Sequence, residues 1–160
     1  VLKAGNIRVY TDGSCHSQLL IGAWAAILFI DGAKVILKGD ETNTTHNRME
    51  LLAVIRAIHF IDNKNLGADK IEVYSDSQYV VNLITRKEKL KRKNFITNKG
   101  TAIQNIDLVQ ILISQIESHT IDFIKVKAHQ KNGDEINREV DLLVRKLVRN
   151  NVLSHEQPYF

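Results

Sequence analysis

The stretch TTHNRMELLAVIRAIHFI, Thr44–Ile61, decides how the rest of the chain is read. From Met49 onward, Leu51, Leu52, Ile55, Ile58 and Ile61 fall at three- and four-residue spacing, which predicts a helix. Glu50 interrupts the pattern. It shares a helical face with Ala53, Val54, Ala57 and Ile61, and that face is otherwise apolar. An ionised carboxylate on a core-facing stripe is costly unless something compensates it. Two resolutions are open. Glu50 sits at the rim of the stripe and reaches water, or it meets a cation that other segments also help to hold.

On the N-terminal side, Ile7–Thr11 predicts a short strand that ends at the turn signal Asp12-Gly13-Ser14. Gly22–Ile30 and Val35–Lys38 predict a hairpin around Asp31-Gly32. On the C-terminal side, Lys70–Ser75 alternates as a strand, and Asp76–Ile84 predicts a short helix capped by Ser75 or Asp76. The basic segment 86–99 follows, then a helical pattern over Thr101–Ser118, a strand at Ile121–Val126 and a polar loop, His129–Glu135. A last helix is expected over Arg138–Arg149, with Asn137 as its cap. Residues 151–160 form a tail with the only proline, Pro158, and no clear periodicity. Three strands on short connections, then strands alternating with helices, imply one α/β domain over residues 1–150. Its mixed sheet should be antiparallel first and parallel later.

The 160 residues suffice for one real core, and 44% apolar with 25% charged residues is ordinary globular composition. A net charge of +4 hints at a polyanionic partner. Cys15 is the only cysteine, which rules out an internal disulfide and a thiolate metal cluster and fits a reducing compartment. The N-terminus carries no secretory apolar region, and the longest apolar run, Ile21–Ile30, is too short to span a bilayer. A cytoplasmic protein without membrane contact is expected.

Three more acids join Glu50. Asp12 ends the first strand and Asp76 the fourth, so parallel neighbours would deliver both to one sheet edge, where open α/β sheets bind ligands. Asp141 lies in the first turns of the last helix, at the border of its apolar face. Singly, each has a bland role: a turn residue, a cap, an acid favoured by the helix dipole. Clustered, four carboxylates repel strongly unless metal ions neutralise them, and all-oxygen donors select Mg²⁺ first and Mn²⁺ next. Such a cluster suits two ions about 3.5–4 Å apart acting on a phosphodiester. His129 is an ordinary loop histidine by itself. Beside such a cluster it becomes a candidate proton shuttle.

YTDGSC (Tyr10–Cys15), THNRMEL (Thr45–Leu51), YSDSQYV (Tyr74–Val80), VKAH (Val126–His129) and NREVD (Asn137–Asp141) occur in the order found in type 1 ribonuclease H, which the chain resembles from about Ile7 to Arg149. The resemblance implies a five-stranded mixed sheet with flanking helices and cleavage of the RNA strand of RNA–DNA hybrids, giving 5′-phosphate and 3′-hydroxyl ends. It makes Asp12, Glu50, Asp76 and Asp141 the metal-binding catalytic carboxylates of two Mg²⁺ ions, Mn²⁺ being a possible substitute, and His129 a group for proton transfer and product release. Asn47 and Gln78 match minor-groove contacts near the cleavage site, where RNA shows its 2′-hydroxyls, and Thr45 matches a contact to a DNA phosphate. The chain departs from the family at Gln18-Leu19-Leu20-Ile21-Gly22-Ala23, which replaces a glycine- and proline-rich turn, and at His46, commonly Asn. The loop between His129 and Asp141 is also slightly longer than usual.

Segment 86–99 holds Arg86, Lys87, Lys89, Lys91, Arg92, Lys93 and Lys99 against Glu88 alone, about a third of all Lys and Arg. Most charge runs are solvated helix faces. Here the segment occupies the place of the family's basic protrusion, which grips the DNA strand, with Phe95 where relatives usually carry several tryptophans. Binding through Lys87, Lys89, Lys91, Arg92 and Lys93 would weaken steeply with salt. Two alternatives compete: a catalytically inactive hybrid-binding module, and a junction resolvase or integrase core on the same fold. Neither reading calls for an obligate protein partner, and a monomer is expected.

Overall fold

The computed structural model describes residues 2–127 and 135–156. Strands β1 (Leu2–Cys15), β2 (Gly22–Ile30), β3 (Ala33–Glu41), β4 (Leu66–Ser75) and β5 (Ile121–Lys125) form one sheet of order β3-β2-β1-β4-β5. The β1–β2 and β2–β3 pairs are antiparallel, whereas β1–β4 and β4–β5 are parallel. Helices α1 (His46–Asn63), α2 (Gln78–Thr85), α3 (Lys87–Arg92), α4 (Ile106–Ser118) and α5 (Glu135–Glu156) complete the described fold. The expected mixed α/β sheet is what forms. No helix among the described residues is long and apolar enough to cross a membrane.

Side-chain alternation along the strands builds two cores. Ile7, Val9, Ala26, Leu28 and Val73 face α1 and α4, meeting Met49, Leu52, Ile58, Val109 and Leu112. Tyr10, Ala23, Ala25 and Ile27 face the other way, onto Val140 and Val144 of α5. Both faces of β2 are therefore covered, which explains its unbroken apolar run.

Boundaries differ from expectation where close packing or capping overrides pattern. Strand β1 runs through Asp12-Gly13-Ser14 instead of turning there, pairing Gly13 with Trp24 and Cys15 with Gly22. Gly13 serves a close approach: a Cβ there would lie 2.4 Å from the Met49 carbonyl carbon. The chain reverses later, where the His16 N–H donates to the Ile21 carbonyl and the Leu20 N–H to that of His16, with Leu20 at φ 55°.

Helix α1 starts at His46, ahead of the periodic run, because the Thr45 hydroxyl accepts the Arg48 N–H at 3.2 Å. Arg48 then makes a two-pronged ion pair with Asp107 at 3.0 Å, tying α1 to α4. Ser77, not Ser75 or Asp76, caps α2 by accepting the Val80 N–H. Helix α4 begins at Ile106, after Asn105 at φ 58°, rather than at Thr101. Helix α5 begins at Glu135, so Asn137 lies inside its first turn, and it continues to Glu156 through much of the expected tail.

Candidate active site

Tyr10 of β1 pairs with Tyr74 of β4, and their rings stack 4.5 Å apart. Asp12 and Asp76 each stand two residues beyond that pair. Parallel register thus brings both carboxylates out at the same end of adjacent strands. Ser77's role as cap leaves the Asp76 side chain to line the cleft.

Glu50 comes from α1, against the β1 backbone where Gly13 lets helix and strand touch. It is 1% exposed, so it does not sit at a solvated rim. The Gly13 N–H donates to its Oε1 at 2.8 Å, while its buried Oε2 has no hydrogen-bond partner. Asp12, Glu50 and Asp76 each offer an oxygen within 4.8 Å of the others. Burial pushes the Asp12 carboxyl up to about 7, with the charges of Asp76 and Asp141 adding to the rise and the hydrogen bond to Glu50 opposing it. Glu50 is driven well above the usual carboxylate range, by burial first and the charge of Asp12 second. An orphaned buried oxygen and a like-charged trio held in place are what a hard divalent cation would satisfy, and oxygen-only donors suit Mg²⁺ or Mn²⁺.

Asp141 lies in α5 and lines the same cleft of about 520 Å³, but outside the tight trio. Its Oδ2 is 3.2 Å from Arg145 Nη2, one helical turn on. Asn47 and Gln78 line the cleft too, and Gln78 Nε2 donates to Asn82 Oδ1 at 2.6 Å. Thr45 is exposed at the head of α1, its hydroxyl engaged as the cap. His129 lies outside the described residues. The further residues lining the cleft include Arg145, four after Asp141, and His46, four before Glu50, which the sequence marked only as a departure from a motif. In both cases the i,i+4 spacing was the available signal.

The basic segment forms α3 and the turns after it. Lys91 is paired with Glu117 at 2.8 Å, Lys87 lies 3.6 Å from Glu88, and Lys93 donates to Asn98 at 2.7 Å. Lys89 and Lys93 line a smaller cleft of about 230 Å³ together with Arg86, whereas Arg92 is exposed at the end of α3.

The family model described as RNase H matches residues 4–149, nearly the full sheet and all four acids. The chain belongs to the ribonuclease H family. It is accordingly an enzyme of that class, and its relatives agree. Ribonuclease H of Caldicellulosiruptor saccharolyticus is 38% identical over 145 residues, covering 89% of this chain and 96% of the relative. Ribonuclease H of a Thermoanaerobacter species is 36% identical over 147 residues, covering 91% of each. The crystal structure of LC9-RNase H1, a type 1 RNase H with the type 2 active-site motif, superposes with a TM-score of 0.77. At 24% identity, covering 91% of this chain and 72% of that one, it supports the ribonuclease H fold.

Proposed function

We propose that the chain is an endonuclease that hydrolyses the RNA strand of RNA–DNA hybrids with two divalent ions, Mg²⁺ or in its place Mn²⁺, leaving 5′-phosphate and 3′-hydroxyl ends. The observation that carries this is the convergence of Asp12, Glu50 and Asp76, with one buried Glu50 oxygen left without a hydrogen-bond partner. The relatives' name supports the substrate. Asp12, Glu50 and Asp76 would hold one ion, and Asp12 with Asp141 the other. When bound, the ions lower the proton affinity of the attacking water and neutralise charge on the leaving oxygen.

The protein supplies position. Gly13 fixes Glu50 by its N–H, the stacked Tyr10 and Tyr74 hold the strand ends that carry Asp12 and Asp76, and Arg145 steadies Asp141. Asn47 and Gln78, which line the cleft, would read 2′-hydroxyls of the RNA strand, the mark that separates RNA from DNA. Thr45, at a helix N-terminus, would meet a DNA phosphate. Lys87, Lys89, Lys91, Arg92 and Lys93 would draw in the DNA strand, and His129 would carry the proton. The enzyme needs no protein partner in this scheme.

The test is cleavage of a labelled hybrid in excess Mg²⁺, with Asp12→Asn as control. Products of the stated ends, lost in the variant, are expected. Full activity in Asp12→Asn, or tight hybrid binding with no cleavage in either Mg²⁺ or Mn²⁺, would refute the proposal.

A further inference from the structure

His46 is a cleft residue that the scheme above leaves unused. It opens α1, with 61% of its side chain exposed, and its Nε2 lies 3.9 Å from Glu50 Oε1. That separation is too long for a direct hydrogen bond. It falls between the separations of about 3 Å and about 4.2 Å that a cation about 2.1 Å from each donor sets for adjacent and opposite ligands, so a small rotation of the exposed imidazole would let both share one ion. The neighbouring Glu50 oxygen, Oε2, is buried and unpartnered, so the carboxylate has capacity for an ion that its Gly13 hydrogen bond does not use. Helical geometry keeps His46 in reach, because positions four apart stack on one face.

We propose that His46 is a nitrogen donor to the divalent ion held by Glu50, making this centre more favourable to Mn²⁺ and Co²⁺, relative to Mg²⁺, than carboxylates alone would be. The inference rests on reading the cleft as a divalent-ion site. Mg²⁺ keeps oxygen ligands and water, whereas first-row transition ions accept imidazole readily. Replacing the imidazole with an amide therefore removes a transition-metal preference while leaving the three carboxylates in place. His46→Asn should weaken Mn²⁺ binding by about three- to tenfold and Mg²⁺ binding by less than about twofold.

The experiment is pulsed electron paramagnetic resonance of Mn²⁺ added to the purified protein, with calorimetry of Mn²⁺ and Mg²⁺ binding alongside. The parent chain should show ¹⁴N coupling to Mn²⁺, absent in His46→Asn and retained in His129→Asn. Circular dichroism confirms that each variant is folded. Mn²⁺ binding that depends on Asp12 but shows no ¹⁴N coupling, or coupling that survives His46→Asn, overturns the role of His46 and leaves the metal site standing. Absence of any Mn²⁺ or Mg²⁺ binding sensitive to Asp12→Asn overturns the metal site itself, and this inference with it.

Discussion

At Asp12 the site is in tension with the fold. A carboxyl raised to about 7 by burial and by the charges of Asp76 and Asp141 keeps its proton where an unfolded aspartate, near about 3.9, has lost it. Between those pH values the native protein binds more protons than the unfolded chain, so this contribution to stability is fullest below about pH 4 and fades as pH rises to about 7. Glu50 acts in the same direction. Denaturant titrations of the metal-free protein at pH 5 and pH 8 should show the loss. In Asp12→Asn the dependence should flatten, with a gain of about 1–2 kcal/mol at pH 8 over the parent, while cleavage should be lost. A steeper pH dependence in the variant would contradict the picture. Sequence alone could single out these acids as candidates, because four of the five ordered motifs carry them. It could not show that Glu50 is fully buried, since periodicity gives a face and not a depth.

Helix α1 and the segment around α3 carry most of the residues that meet the substrate in this scheme, and Gln78 joins them from α2. Helix α1 holds Glu50, Asn47 and His46, and its first turn depends on the Thr45 hydroxyl. Thr45→Ala should cost about 1 kcal/mol of stability through the lost cap, read as a lower midpoint in thermal unfolding. Thr45→Ser, which keeps the hydroxyl, should not. In α3 and the turns beyond it the cations are not equivalent. Lys91 is committed to Glu117, whereas Lys89 and Lys93 border a cleft with Arg86. Lys89→Ala should weaken hybrid binding and lower the slope of log affinity against log salt by about 0.7–0.9. Lys91→Ala should change that slope less. Fluorescence anisotropy in the presence of chelator reads both without turnover. The charge run itself was plain in the sequence, but the pairing within it depends on α4, which contributes Glu117 from a distant segment.

For the molecule as a whole, ion binding and folding should be linked. An ion present at about a hundredfold its dissociation constant adds about 2.7 kcal/mol to a state that alone binds it. Mg²⁺ should therefore raise the unfolding midpoint of the parent chain, and the rise should vanish in Asp12→Asn. Chelation should leave the sheet intact, because both cores close without the site. Calorimetric scans with Mg²⁺ and with chelator check both statements. The architecture was legible because strand and helix periods alternate cleanly and the ligand edge of a parallel pair is a general rule. What escaped were the limits of elements set by contact with another segment: β1 passing through a glycine pressed against α1, and α5 starting ahead of its apparent cap.

The order of the pieces along the chain has a biosynthetic corollary. β1, which brings Asp12, is made before α1, its parallel neighbour comes only after α1, and Asp141 follows later with α5. A nascent polypeptide shortened before Glu135 has no α5 to seal the Tyr10–Ala25–Ile27 surface and no fourth acid. On the proposed scheme, cleavage would therefore have to await synthesis of α5, a delay that arises from topology alone.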